Sequence, residues 1–314
     1  MRRTRSLGLA AAAGIAVLAP ALAAPAEASP GPDHPRTVAA STRADLLAAM
    51  HGEAKARASY LAFAAQARHE GRRTVAKLFT DTAAVELGDH FTLEAGYVGL
   101  AGSNEANLKD AITGEDYETT TMYPGFEADA RAQGDTKAAV LFHEIAADEA
   151  THRDLFKQAL GALGGKGRTP NAPVVDAVTV PAGPTRSEGK TLANLKAAMG
   201  GESFASAKYL AYAQHARATG HPELAKLFTT LSNVELKEHF NAEAGLAGLV
   251  GNSRDNLATA AGGENYEATT MYPGFAAKAK AAGDRKVAST LKEIAGDEAT
   301  HRDAFRRARR AIHH

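Results

Sequence analysis

Apolar and small residues recur every three or four positions through most of this chain, a spacing that predicts amphipathic helices. In the first half the pattern divides into four helical segments, at roughly 42–69, 73–96, 105–133 and 136–161. Gly71 and Gly134 mark two of the breaks, where glycine readily ends a helix. The predicted fold class is therefore all-α.

The same pattern returns 149 residues later, which is the spacing between Glu53 and Glu202. HGEAKARASYLAFAAQAR is echoed by GGESFASAKYLAYAQHAR, and GEDYETTTMYPGF by GENYEATTMYPGF, without a gap. Each copy covers about 120 residues, which indicates duplication of a whole domain. We place the first domain at 41–162, a linker rich in Pro, Gly and Thr at 163–189, and the second domain at 190–312.

The segment between the second and third helices, GYVGLAGSNEAN, is glycine-rich and apolar. About ten extended residues span roughly 34 Å, enough to return the chain along a bundle so that these two helices run parallel. Exchange of helices between two bundles through the same segment is the alternative.

The amino-acid composition limits which binding partners and which kinds of metal ligand are possible. The 314 residues carry 36 basic and 36 acidic side chains with a pI near 7.2, and nothing in this balance indicates nucleic-acid binding. Cysteine is absent, which excludes disulfides, thiolate zinc sites and iron–sulfur clusters. Any metal must be bound by oxygen and imidazole ligands.

The first 28 residues have the basic start, apolar stretch and small-residue end of a secretory signal peptide. We place cleavage after Ala28, and Arg2 and Arg3 leave twin-arginine export open beside the Sec route. Pro20 and Pro25 interrupt the apolar stretch, which argues against stable membrane insertion. The mature protein is expected to be secreted.

Glutamate and histidine recur at matching positions of both copies, on all four helices. Glu149 and His152 lie three residues apart, on one face of a helix, and can bind a common metal. Glu53 lies among apolar and small residues, which indicates that its carboxylate faces inward. Several inward acids in one bundle repel one another unless cations neutralise them. Oxygen ligands with a minority of imidazole suit iron or manganese.

This distribution over four helices matches the carboxylate-bridged di-metal bundles. With the stretches GEAKARASY, LFTDTAAVELGDHF, NLKDAITGEDYETTTMYPGF and EIAADEATHRDLF, each copy resembles the di-iron domain of the rubrerythrin family over nearly its whole length. The resemblance implies two tandem ferritin-like four-helix bundles with two iron ions per domain, manganese being the alternative.

Carried over by motif, the resemblance implies a set of metal ligands or near-ligands in each copy: Glu53, Glu86, His90, Glu115, Glu118, Glu149 and His152 in the first, and Glu202, Glu235, His239, Glu264, Glu267, Glu298 and His301 in the second. It also implies tyrosines beside the metals, at Tyr60, Tyr123, Tyr209 and Tyr272. The alternative for these tyrosines is a purely structural place in the core.

The chain departs from the family in two ways. Glu86 and His90 are four residues apart where the family has three, so Asp89, with Glu238 in the second copy, occupies the expected histidine position. Either a one-residue π-bulge brings the histidines back into line, which we favour, or Asp89 and Glu238 are the ligands. The four-cysteine rubredoxin domain that usually accompanies the family is also missing, so either the electrons come from an external donor or the protein works differently.

The function implied by the resemblance is reduction of hydrogen peroxide to water at a non-haem di-iron site. The alternative is a ferroxidase or iron-sequestering protein outside the cytoplasm, which uses oxygen. Pairing of bundles within the chain and homo-oligomerisation both remain open.

Overall fold

The computed structural model describes residues 38–312, so the signal peptide predicted at 1–28 lies outside it and stays a prediction. The described residues form eight long helices and no strand, which confirms the all-α fold class. The helices are α1 Ala40–His69, α2 73–98, α3 104–132, α4 Thr136–Leu163, α5 Gly189–Ala218, α6 222–247, α7 253–281 and α8 Arg285–Ala311. None of them is long and apolar enough to cross a membrane.

Four of these helices contain one π-helical turn each: Glu86–Phe91 in α2, Glu118–Met122 in α3, Glu235–His239 in α6 and Glu267–Met271 in α7. Each such turn accommodates one extra residue, and it shifts the facing of the side chains that follow. The sequence predicted the turns in α2 and α6 but not those in α3 and α7. All four begin at a candidate metal ligand.

The connections between α2 and α3 and between α6 and α7 are short and capped at both ends. Gly99 and Gly248 end the preceding helices with φ of 61° and 64°, a left-handed conformation that favours glycine. Ser103 and Asn252 begin the next helices by accepting hydrogen bonds from Ala106 N and Asp255 N. Only residues 99–103 and 248–252 are left between the helices, too few to return along a bundle.

These short connections carry the chain from one bundle into the other. Phe63 and Phe79 of the first repeat share a core with Phe305 of the second repeat. In the same way Phe156 of the first repeat packs with Phe228 of the second repeat. Bundle A therefore consists of α1, α2, α7 and α8, and bundle B of α3, α4, α5 and α6. Of the two arrangements left open by the sequence, the structure has the exchanged one.

The two bundles meet along α1 and α5. The imidazole of His51 stacks on Phe204 with 3.9 Å between ring centroids. Arg57 Nη1 lies 3.4 Å from Ser206 Oγ, which in turn lies 3.1 Å from Ser232 Oγ. This contact joins the first helix of each repeat, so the exchanged halves form one continuous helical assembly.

The linker has no regular secondary structure and runs along α6. Val178 N donates to Lys237 O at 2.8 Å, and Asn241 Nδ2 donates to Val178 O at 2.8 Å. Farther on, Arg186 N donates to Leu246 O at 2.9 Å. The linker is thus attached to bundle B at the helix that carries the π-helical turn Glu235–His239.

Candidate metal centres

The π-helical turns decide which side chains enter the bundle cores. In a regular helix, each residue turns by about 100°, so residues four apart do not face quite the same way. The wider turn brings His90 into line with Glu86, and both are buried at 1% exposure, whereas Asp89 is exposed. In α6, Glu235 and His239 are likewise buried, while Glu238 accepts a hydrogen bond from Asp176 N at 2.6 Å.

Two clusters result, one in the core of each bundle. Site A comprises Glu53, Glu86 and His90 from the first repeat with Glu264, Glu267, Glu298 and His301 from the second. Site B comprises Glu115, Glu118, Glu149 and His152 from the first repeat with Glu202, Glu235 and His239 from the second. All fourteen residues predicted from the sequence therefore lie in or beside these clusters.

The sequence-based prediction that the candidate ligands of one repeat form one site is wrong. His90 Nδ1 lies 3.0 Å from Glu298 Oε1, and His239 Nδ1 lies 2.9 Å from Glu149 Oε1. Each of these pairs joins the two repeats, because the chain crosses between bundles after α2 and after α6. Neither cluster is complete with the residues of a single repeat.

Each cluster divides into two groups of four residues that share two glutamates. In site A, Glu53 with His90 and Glu264 with His301 form the two ends, and Glu86 and Glu298 belong to both groups. Site B has the same pattern, with Glu149 and Glu235 as the shared acids. The potential ligand atoms of each group lie within 4.8 Å of one another. This is the donor arrangement for two neighbouring cations bridged by two carboxylates.

The third-helix acids Glu118 and Glu267 are partly buried beside these groups. They lie next to the glycine of the Gly–Glu pair in the first helix. A Cβ added to Gly52 would lie 3.5 Å from Glu267 Oε1, and one added to Gly201 would lie 3.6 Å from Glu118 Oε1. These are ordinary van der Waals distances, so the third-helix acid packs directly against the first helix.

The four predicted tyrosines all donate hydrogen bonds to acids of the clusters. Tyr60 Oη donates to Glu264 Oε1, and Tyr209 Oη donates to Glu115 Oε1, both at 2.5 Å. The hydroxyl of Tyr272 contacts Glu53 and that of Tyr123 contacts Glu202. Every pair joins the two repeats. The tyrosines therefore hold the terminal acids of both sites in place.

Two buried acids at these sites were missed by the sequence reasoning. Glu94 and Glu243 have no exposed surface and lie one helical turn after His90 and His239. Their Oε1 atoms lie 3.0 Å from the hydroxyls of Tyr272 and Tyr123, respectively. The sequence does mark these acids, because Glu94 and Glu243 occupy equivalent positions in the two repeats.

The acids and imidazoles of each cluster share protons when no metal is bound. Burial, reinforced by neighbouring acids, raises the pKa of Glu202 and of Glu267 to about 8 and that of Glu264 to about 10. Burial opposes protonation of the histidines, yet the surrounding carboxylates raise the pKa of His152 to about 10 and that of His301 to about 12.

The donor set fits a pair of divalent cations. Among the buried carboxylate oxygens, Glu115 Oε2 in site B and Glu264 Oε2 in site A accept no hydrogen bond. Glu149 Oε1 and Glu298 Oε1 face only an imidazole nitrogen, at 2.9 and 3.0 Å. Carboxylates left in this state in a protein core are strongly unfavourable unless cations neutralise them. Hard oxygen ligands with one imidazole per group suit iron or manganese.

Helical bundles with two carboxylate-bridged metal positions form a recognised class of protein. Within that class, the sequence profile of the rubrerythrin family matches residues 45–160 and 193–309. The chain belongs to this family.

Among its relatives is nigerythrin from Nitratidesulfovibrio vulgaris, 37% identical over 137 residues, which are 40% of this chain and 68% of the relative. Rubrerythrin from Porphyromonas gingivalis is 35% identical over 125 residues, 36% of this chain and 62% of the relative. Rubrerythrin from Nitratidesulfovibrio vulgaris is 32% identical over 127 residues, 37% of this chain and 66% of the relative. The matches thus span about two thirds of these relatives. No solved structure gives a significant match.

The exchanged arrangement predicts which substitutions act on the same site. Glu115→Ala with Glu149→Ala is expected to lower the metal content from about four ions per chain to about two. Adding Glu202→Ala with Glu235→Ala should cause little further loss, because these acids belong to the same site B. Metal analysis checks this, with circular dichroism and the exposed Glu144→Ala as controls. Loss of all metal in the fourfold variant would contradict the exchange.

The buried position of the second-helix histidines predicts which of two neighbouring substitutions weakens metal binding more. His239→Ala should weaken metal binding at site B by about tenfold or more, the scale of losses around a metal site. Glu238→Gln should have little effect, because Glu238 accepts a hydrogen bond from the linker instead. Metal titration of each variant measures the two effects, and the opposite ranking would overturn the assignment of histidine as ligand.

The raised pKa values predict how the metal-free protein responds to pH. Glu202, Glu264 and Glu267 bind protons more tightly in the folded chain. Their contribution to stability is fully present below about pH 4.5 and is lost as pH rises, through about 8 for Glu202 and Glu267 and through about 10 for Glu264. The raised pKa of His152 acts in the same direction above about pH 6.5. We expect the melting temperature of metal-free protein to fall by on the order of 5 °C between about pH 5 and 8.

The metal-loaded protein is the control for this measurement. Bound cations replace the shared protons, and their affinity falls as pH falls. The melting temperature of the loaded protein should therefore not fall over the same interval. A metal-free protein that becomes more stable from pH 5 to 8 would show that the clustered acids are ionised without a cation.

Proposed function

We propose that the protein is a non-haem di-iron enzyme that reduces hydrogen peroxide to water with electrons from an external donor. The observation that carries the proposal is the pair of clusters in which two glutamates are shared by two groups of ligands, each group with one histidine. Membership of the rubrerythrin family supports iron as the metal. Manganese is the alternative metal for the same oxygen-rich ligands.

The geometry suggests which residues would hold each ion. In site A, Glu53 and His90 would bind one ion, Glu264 and His301 would bind the other, and Glu86 and Glu298 would bridge them. In site B, Glu202 with His239 and Glu115 with His152 would be the two ends, and Glu149 and Glu235 would bridge. Site A and site B would thus bind four ions per chain.

Bound iron would supply the electrons for cleavage of the peroxide O–O bond. The reaction consumes two electrons and two protons for each peroxide and releases two molecules of water. Tyrosine hydroxyls hold the terminal acids in place, and Glu267 and Glu118 lie beside Gly52 and Gly201, next to the metal positions. These 314 residues contain no cysteine and therefore no rubredoxin-type iron site, so we propose that the electrons come from an external donor.

The choice of oxidant tests the proposal. Diferrous protein should be oxidised by hydrogen peroxide about tenfold or more faster than by oxygen at equal concentration, since cleavage of peroxide needs only the two electrons of one site. Stopped-flow absorbance measures both rates. The control is Glu86→Ala with Glu149→Ala, which removes one bridging acid from each site and should abolish the fast phase.

A ferroxidase would behave differently in the same experiment. Oxygen would then oxidise the protein at least as fast as peroxide, and repeated additions of iron(II) would be taken up beyond four ions per chain. Either result would overturn the peroxidase proposal in favour of iron oxidation and sequestration.

A further inference from the structure

Glu94 and Glu243 are buried acids that belong to none of the four ligand groups. Glu94 lies on α2, one turn after His90, and Glu243 lies at the matching position on α6. Both side chains are fully buried. Each lies behind a tyrosine that contacts a terminal acid of the cluster, namely Tyr272 for Glu94 and Tyr123 for Glu243.

Each of these tyrosine hydroxyls lies between two carboxyl groups. Tyr272 Oη is within hydrogen-bond distance of Glu53 Oε1 and lies 3.0 Å from Glu94 Oε1. A phenol has only one proton to donate, although its oxygen can also accept a hydrogen bond. Both contacts can be hydrogen bonds only if one of the two carboxyl groups is protonated and donates to the phenol oxygen.

Burial raises the pKa of both Glu53 and Glu94, so the contacts of their second oxygens distinguish the two carboxyl groups. Glu94 Oε2 is buried and has no hydrogen-bond partner, and the same is true of Glu243 Oε2. A charged oxygen in this position would be strongly unfavourable in the bundle core, whereas the carbonyl oxygen of a neutral acid is far less so. Glu53, in contrast, faces His90 Nδ1 at 3.5 Å through its Oε2, where a cation would hold it ionised.

We propose that Glu94 and Glu243 are neutral carboxylic acids that donate hydrogen bonds to Tyr272 and Tyr123 and thereby position Glu53 and Glu202 for metal binding. The tyrosine proton is then directed to Oε1 of the terminal acid. This leaves Oε2 of Glu53 and Glu202 facing the metal position. The proposal rests on the proposed function, because it requires Glu53 and Glu202 to be ionised ligands.

The surroundings of the two acids support the neutral form. Burial raises the pKa of Glu94 well above its usual value, and Glu298 from α8 and Glu267 from α7 act in the same direction. His90 on α2 and the hydroxyl of Tyr272 oppose this only in part. For Glu243, burial together with Glu202 and Glu149 raises the pKa, against the effects of Tyr123 and His239.

Infrared spectroscopy of the iron(II)-loaded protein under anaerobic conditions tests the protonation state. The wild type should show the C=O stretching band of protonated carboxylic acids, shifted in D₂O, and the wild-type minus variant difference spectrum should contain this band for Glu94→Gln with Glu243→Gln. The exposed Glu144→Gln is the matched control and should leave the band unchanged. A double variant with a band of undiminished intensity, or with loss of ionised-carboxylate bands instead, would overturn the proposal.

Metal titration of the same variants tests the positioning role. Glutamine offers an N–H donor to the tyrosine oxygen, so Glu94→Gln should bind metal at site A as the wild type does. Glu94→Ala removes the donor and should weaken that site by about tenfold, the scale expected for groups that orient a ligand. Equal affinity in Glu94→Ala and the wild type would contradict positioning.

The two proposals fail in distinguishable ways. A wild type that binds four metal ions but shows no carboxylic acid band would disprove the neutral acids and leave the di-iron function standing. A wild type that binds no metal would overturn both.

Discussion

Each bundle holds seven acids and imidazoles of its metal site in a core that is otherwise filled by aromatic and small side chains, and the fold depends on neutralising this charge. In the absence of metal, the charge is balanced by shared protons. Histidine pKa values are raised, and those of Glu149 and Glu298 are held well below their usual range by neighbouring histidines against the effect of burial. Two cations would replace those protons, and each cation could bind several of the clustered acids at once. Folding and metal binding are therefore linked at the same side chains.

Because the bundles exchange helices, the side chains that link folding to metal binding come from both repeats. Both bridging pairs, Glu86 with Glu298 and Glu149 with Glu235, contain one acid from each repeat. All four tyrosine hydrogen bonds to the clusters also cross from one repeat to the other. A cation in either site would therefore hold the two halves of the chain together, and neither repeat completes a cluster within itself.

Local spacing in the sequence predicted the helices, and the resemblance to the rubrerythrin family supplied the candidate ligands and the four tyrosines. The π-helical turn at Glu86 was also predicted, because His90 follows Glu86 by four residues where the family has three. The partners of each ligand could not be predicted. Two copies of one repeat present the same faces whether or not they exchange, and the outcome depends on the connections at 99–103 and 248–252. Glu94 escaped notice because a single acid one turn beyond a ligand resembles an ordinary surface residue.

Duplication also leaves the two sites with different surroundings, although their ligand sets match. The linker is hydrogen-bonded to α6 at and just after its π-helical turn. Val178 N donates to Lys237 O, and Asn241 Nδ2 donates to Val178 O. The matching turn of α2 contains Gly88 in place of Lys237, and glycine within a helix costs about 0.5–1 kcal/mol relative to alanine. These differences act in the same direction, since one restrains the helix that carries His239 and the other loosens the helix that carries His90. The linker, which belongs to neither repeat, thus distinguishes site B from site A, and two sites built from one duplicated motif are not bound to behave identically.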